Sequence, residues 1–243
     1  MKRIFFTVAF AATMIFAGAN AVLAQDESYA MLDGSLYDVV FSWKHKKPLA
    51  KESHWAGLSF AFSDLKGLPK DVELRLERSY SISWNVDDWE IPIHRHWLLA
   101  SGFGFDWSRW HFGSDAFLRN TDGVTNFDYY ESGLKDSKLL VYYGKIPLLL
   151  EYQTRVHSNT FFIQGGVEGL VKLYSKSRIE IGNGKKTDKE DFRNLKVYPV
   201  NARLFLHIGF NSLGVFGYYQ PFSMFQHNRG PELQNFGFGI TLN

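Results

Sequence analysis

The sequence predicts an all-β fold, an eight-stranded antiparallel up-and-down transmembrane β-barrel. Three observations carry that expectation. Large apolar residues alternate with small or polar ones at a period of two over eight successive segments. The connections between those segments are alternately long and short, as in a barrel with short periplasmic turns and longer extracellular loops. Aromatic residues make up 17% of the chain, with 22 Phe, 12 Tyr and 7 Trp, and several gather near segment ends.

Composition narrows the class. The 243 residues are 45% hydrophobic, too apolar for wholesale disorder. Mean hydropathy lies slightly on the polar side, which excludes a bundle of membrane-spanning helices. With no cysteine, disulfides, thiol catalysis and zinc–cysteine sites are excluded. A formal charge of +2 does not suit a nucleic-acid binder, which carries a strongly basic face.

The chain opens with Met1-Lys2-Arg3, an apolar run from Ile4 to Gly18, and Val22-Leu23-Ala24. A basic start, an apolar middle and a small-residue end predict a signal peptide over 1–24, cut after Ala24. The run is shorter than the ~20 residues of a spanning helix. Gln25 stands where a lipoprotein needs cysteine. Residues 25–53 are expected to form a periplasmic segment and 54–243 the barrel. Removal of Lys2 and Arg3 leaves 25 basic residues against 25 acidic ones.

The strands follow in order. From His54 to Ser63, Ala56, Leu58, Phe60 and Phe62 share one face, and Gly57, Ser59, Ala61 and Ser63 the other. From Ser79 to Val86, Tyr80, Ile82, Trp84 and Val86 oppose serines and Asn85. From Trp97 to Trp107, Leu99, Phe103 and Phe105 oppose Gly102, Gly104 and Asp106. The fourth, Leu139 to Tyr152, sets Tyr142, Ile146, Leu148 and Leu150 against Lys145 and Glu151. The fifth, Thr160 to Lys176, sets Phe161, Ile163, Val167, Val171 and Leu173 against Gln164, Glu168 and Lys172. The sixth, Val200 to Phe210, opposes Leu204, Leu206 and Ile208 to Arg203 and His207. The seventh runs from Leu213 to Gln220, and the eighth closes on Phe236, Phe238, Ile240 and Leu242.

Long connections are expected at 64–78, 108–138, 177–199 and 221–234, short ones at 87–96, 153–159 and 211–212. Trp55, Trp97, Trp107, Trp110, Tyr152, Tyr174 and Tyr219 are expected to form interfacial girdles, where an apolar ring and a polar handle are both satisfied.

The chain resembles the PorT-like outer-membrane β-barrel family of Bacteroidetes from about residue 40 to the end. The resemblance rests on Lys44-His45-Lys46-Lys47 ahead of His54-Trp55-Ala56-Gly57, and on Ile146-Pro147-Leu148-Leu149-Leu150-Glu151-Tyr152. Gly184-Lys185-Lys186 and Gly230-Pro231-Glu232-Leu233 complete it. It implies a small outer-membrane barrel.

An eight-stranded barrel has an interior just wide enough for side chains to fill. Ionisable residues on the strands must therefore point inward and pair, since lipid cannot solvate them. That predicts a structural polar network of Lys145, Glu151, Gln164, Glu168, Lys172, Arg203 and His207, with Tyr143 beside it. The expected pairs are Arg203 or Lys172 with Glu168, and Lys145 with Glu151. Pro147 is expected at a bulge, because it lacks the N–H that a ladder needs.

No nucleophile elbow, zincin motif or phosphate loop is present, so neither catalytic nor cofactor residues are assigned. His94 and His96 share a face of an extended segment, and His111, Asp87, Asp88 and Glu90 are the remaining donors for a metal. Solvated turn residues are the simpler reading. The mixed-charge stretch 185–191 reads as a solvated hairpin tip with lipopolysaccharide contact as a second option. Lys44, Lys46, Lys47 and Lys51 read as a solvated linker near the periplasmic rim, with anionic headgroup contact as a second option, and 36–43 as a short strand or tether. The expected partners are outer-membrane lipid and lipopolysaccharide, with a protein at the loops or periplasmic rim and no nucleic acid. The function expected is a non-enzymatic binding, scaffold or secretion-accessory role carried by the loops. The alternative is a small channel.

Overall fold

A computed structural model describes residues 52–113, 115–130, 134–156, 159–183 and 186–243. The signal peptide, the basic stretch 44–51, the segment 36–43 and Gly184-Lys185 lie outside the described residues.

The described residues form eleven strands: β1 (Gly57–Lys66), β2 (Tyr80–Pro92), β3 (Trp97–Phe112), β4 (Ala116–Thr121), β5 (Val124–Tyr129), β6 (Leu134–Val156), β7 (Asn159–Asn183), β8 (Lys186–Phe192), β9 (Val200–Phe210), β10 (Leu213–Tyr219) and β11 (Gln234–Leu242). Eight of them close into a ring in the order β1-β2-β3-β6-β7-β9-β10-β11. Every neighbouring pair is antiparallel, and each strand pairs with the next barrel strand in sequence. The seam is β1 on β11, from Leu58 opposite Leu242 to Lys66 opposite Gln234. The ring is an up-and-down barrel without a free edge.

The turns after β2, β6 and β9 lie at one end, together with Gly57 and Leu242. The four long connections lie at the other. The sixth strand coincides with its expected span, the seventh ends one residue early, and the other six are shifted or lengthened. β6 and β7 have 23 and 25 residues, more than twice the ~10 that cross a bilayer, and they project beyond the ring.

Two connections expected as long loops contain strands, and 186–191, expected at a hairpin tip, lies in β8 instead. Within 108–138, β4 and β5 form a separate hairpin around Asp122 and Gly123, whose φ values are 53° and 83°. An Asp-Gly pair supplies the two positive φ angles of a tight hairpin turn. Within 177–199, β8 pairs with the outer half of β7, from Ser177 opposite Phe192 to Asn183 opposite Lys186. Backbone polar groups outside a bilayer still need partners, and pairing supplies them.

Pro147 is not at a bulge. It pairs with Glu168 in an unshifted stretch of the β6–β7 ladder, whose shifts fall at Leu134/Asp136 and Tyr142/Tyr143. The β3–β6 ladder has no pairs between Ser101–Leu148 and Gly104–Lys145, so the missing N–H falls where no bond is made.

The faces divide as the alternation predicts. Leu58, Phe60 and Phe62 on β1 and Phe236, Phe238 and Ile240 on β11 are exposed. Ser59, Ala61 and Ser63 face inward and are buried. The inward wall is uneven around the ring. β1, β2 and β3 present small residues: Ser63, Ser81, Ser83, Gly102, Gly104 and Ser108. β6, β7, β9 and β10 present long ones, and these fill the space the small ones leave. At the long-loop end, Trp110, Leu139, Val141 and Leu170 pack with Val72, Leu195, Met224 and Phe225 from the loops, forming an apolar cap.

Candidate functional site

A structural polar network is expected in the lumen, and the lumen holds a balanced charge cluster at mid-height. Glu168 accepts a hydrogen bond from Arg203 Nε at 2.5 Å, and Lys145 Nζ lies 3.6 Å from it. Arg203 also reaches across the barrel to Asp106, 3.1 Å from its Oδ2. Asp106 in turn accepts from Ser83 at 2.8 Å and from Ser108 at 2.5 Å. The Arg203 guanidinium lies 4.4 Å from the ring centre of Tyr218. The Tyr218 hydroxyl bonds Ser63 and Ser81 on the small-residue wall. Two acids thus face two bases; Glu168, Asp106 and Arg203 are each held from more than one side, and Lys145 by its ion pair with Glu168, which is the condition for holding charge in a low-dielectric interior.

Below the cluster, at the short-turn end, the chain enters its own lumen. Trp55 is 1% exposed and donates from Nε1 to Glu168 at 2.9 Å. Its carbonyl accepts from Asn85 Nδ2 at 2.7 Å, and Lys145 Nζ lies 5.3 Å above its ring. The ring rests against Gly102 and Gly104, where an added Cβ would come within 3.1 Å of it. His54 stacks on Phe162 with centroids 4.1 Å apart, and its Nδ1 lies 2.6 Å from Glu151. Gln153 and Gln164 complete the shell of Glu151, each donating at 2.8 Å. Gly57, at φ +131°, turns the chain from this strap into β1; a Cβ there would meet Leu242 O at 2.0 Å. Residues 52–56 therefore seal the short-turn mouth as the loop cap seals the other.

The sequence-predicted residues divide as follows. Arg203 and Glu168 pair as expected. Lys145 does not meet Glu151. The two stand six residues apart on one face of β6, roughly 20 Å along the strand, and Lys145 turns to Glu168 instead. Lys172 stands outside the cluster. It lies nearer the loop end, where its Nζ donates to Val197 O at 3.1 Å. Gln164 and Glu151 join the strap rather than the cluster. His207 is buried against Phe162, Phe205 and Phe216, and neither ring nitrogen has a hydrogen-bond partner among the described residues. Tyr143 is buried in the loop-end core. Trp55 and Trp110 are not girdle residues, since both are buried inside the barrel. His96 and His111 stand at opposite ends of β3, and His111 Nδ1 bonds Asp136 at 2.9 Å, so the donor set weighed for a metal is not assembled.

Sequence reasoning missed Trp55, His54, Asn85, Asp106 and Tyr218. Asp106 was legible as an acid on an inward face. Trp55 also falls on the small-residue face, with Gly57, Ser59 and Ala61, but its position near a strand end suggests a girdle residue, and only the turn at Gly57 separates strap from strand.

Two hollows lie outside the lumen. One, of about 240 Å³, is an apolar dent in the outer wall between Phe62, Leu76, Phe236 and Phe238. The other, of about 600 Å³, is a cleft at the long-loop end between the β4–β5 hairpin and the β7–β8 extension, floored by Phe117 and Ile179.

A closed ring of eight strands, apolar outside and charged within, defines a membrane-spanning β-barrel of the outer-membrane type. No family profile matches the chain, and no curated protein does. Among solved structures, Ail, the attachment invasion locus protein of Yersinia pestis, aligns with a TM-score of 0.33 and 11% identity, over 77% of this chain and 98% of that one.

Proposed function

We propose that the chain is an outer-membrane protein, exported with cleavage after Ala24, whose barrel is a non-enzymatic anchor and whose long loops carry a binding, scaffold or secretion-accessory role. The single observation that carries this reading is the inversion of the two surfaces. Exposed Phe238, Val215 and Leu204 ring the outside, while Lys145, Glu168, Arg203 and Asp106 are buried inside. Water would reward the opposite arrangement, and a hydrocarbon surround rewards this one.

The cluster and the strap fill the space that transport or catalysis in the lumen would need. The loop end remains as the accessible chemical surface, and loops on a rigid scaffold are where specificity concentrates. The sequence resemblance to the PorT-like barrels of Bacteroidetes supports the same reading. Membrane fractionation with a heat-modifiability gel tests it. The expected result is recovery with the outer membrane and a mobility shift on boiling. Recovery as a soluble periplasmic species would overturn it.

A further inference from the structure

We infer that the cleft between the β4–β5 hairpin and the β7–β8 extension is a binding site for a neutral oligosaccharide; this deepens the loop-binding reading above and rests on it. The cleft measures about 600 Å³, inside the range of about 300–1,000 Å³ typical of small-ligand sites. It lies at the long-loop end, beyond the apolar belt, where water reaches it.

The lining fits sugar chemistry. A pyranose has an apolar C–H face and a rim of hydroxyls. It is held by aromatic rings against the face and by planar charged groups that bond neighbouring hydroxyls two at a time. Tyr129 and Tyr130 supply rings at the cleft, Phe192 backs Arg119 from 5.7 Å, and Arg119, Asp128 and Glu190 supply the planar groups. Charge selects against anionic ligands. Arg119 is already 3.7 Å from Asp128, so Glu190 leaves these three groups with an excess of one negative charge. That disfavours phosphate, sulfate and acidic glycans. The exposed polar lining equally disfavours an acyl chain.

The walls are fixed before any ligand arrives. Leu118 N donates to Ser177 Oγ at 3.2 Å, tying the hairpin to β7. Phe117 stacks on Phe192 with centroids 4.9 Å apart, joining the hairpin to β8. Arg178 grips Asp191 through both Nε and Nη2, holding β8 against β7. A preformed cleft loses less entropy on binding.

The test is an array of neutral and acidic oligosaccharides probed with the mature protein in detergent, each preparation first shown to be heat-modifiable. We expect saturable binding to neutral members, unchanged between low salt and about 0.5 M salt. Tyr130→Ala and Glu190→Gln should each weaken it by about tenfold or more. Glu232→Gln, on another long loop, should leave it unchanged. Three results would each overturn the inference: no saturable binding by the folded barrel, salt-sensitive binding confined to acidic glycans, or binding that survives both cleft substitutions. Loss of the heat shift in the unsubstituted protein would instead overturn the barrel reading itself.

Discussion

Trp55 donates its indole N–H to Glu168 across 113 residues of sequence, and both groups are fully enclosed. This one bond joins the strap at the short-turn mouth to the charge cluster at mid-barrel. Truncating Trp55 to Ala removes both a large packed ring and a donor to a buried acid. We expect a loss of about 3–5 kcal/mol in unfolding free energy. Trp55→Phe keeps most of the ring and should cost about 1–3 kcal/mol. Urea titration of the purified barrel, read by the fraction that still shows the fast-migrating folded band, separates the two. Equal midpoints for both variants and the unsubstituted protein would remove the strap from the account.

The Arg203–Glu168 pair predicts non-additivity. Glu168→Gln leaves Arg203 and Lys145 short of an acid, and Arg203→Met leaves Glu168 and Asp106 short of a base. Each should destabilise by about 3–5 kcal/mol. The double variant should fall well short of the sum, because each change removes the partner the other leaves stranded. Additive costs in a urea-unfolding cycle would show that the two groups do not act as a pair.

The outer belt makes a prediction of opposite sign to that for a soluble protein. Val215 is 60% exposed on the outer face of β10, one residue from the strand's middle. On a water-facing surface Val215→Arg is nearly neutral. In a bilayer it should cost about 2–4 kcal/mol. Equilibrium refolding into lipid vesicles distinguishes the two values.

Gly57 predicts an assembly defect. Its φ of +131° and the 2.0 Å approach of an added Cβ to Leu242 O leave no room for a side chain at the seam. Gly57→Ala should reduce the yield of heat-modifiable barrel, because β1 then cannot meet β11 without moving the strap. Wild-type yield from the alanine variant would refute this.

Asp191 gives a pH dependence outside the membrane. Its hydrogen bonds to Arg178 and then Lys176 hold its carboxyl well below the ordinary carboxylate value. A depressed folded-state value means the unfolded chain takes up the proton first. The stabilisation is therefore complete above about pH 4, the unfolded value, and fades only as pH falls through the lower folded value. Hydrogen exchange in the β7–β8 extension should be equally protected at pH 7 and pH 5, after correction for intrinsic rates, and lose protection in stronger acid. Asp191→Asn should abolish that acid step.

What could be read from the chain follows from how local each signal is. The eight barrel strands were legible because a period of two is written in neighbouring residues. Phe60 and Phe62 declare one face and Ser59 and Ala61 the other without knowledge of any distant contact. The Asp122-Gly123 hairpin carries an equally local turn signal, which the long-loop expectation for 108–138 passes over. For Arg203, Glu168 and Lys145 the alternation gave the facing but not the partners. Lys145 was assigned to Glu151 on its own strand, yet distance along a strand forbids that pair while stagger between strands allows Lys145 to reach Glu168.

Alone, then, the sequence determined which residues face lipid and which face inward, because that depends only on alternation. Tertiary structure decided everything that depends on closure. The seam of β1 on β11 sets the strand register around the ring and so brings Arg203 of β9 to Asp106 of β3 and Tyr218 of β10 to Ser63 of β1. The strap was decided in the same way. Trp55 is a large ring on the small-residue face of the alternation, and only a closed lumen lined on one side by Gly102, Gly104 and Asn85 gives it a place inside.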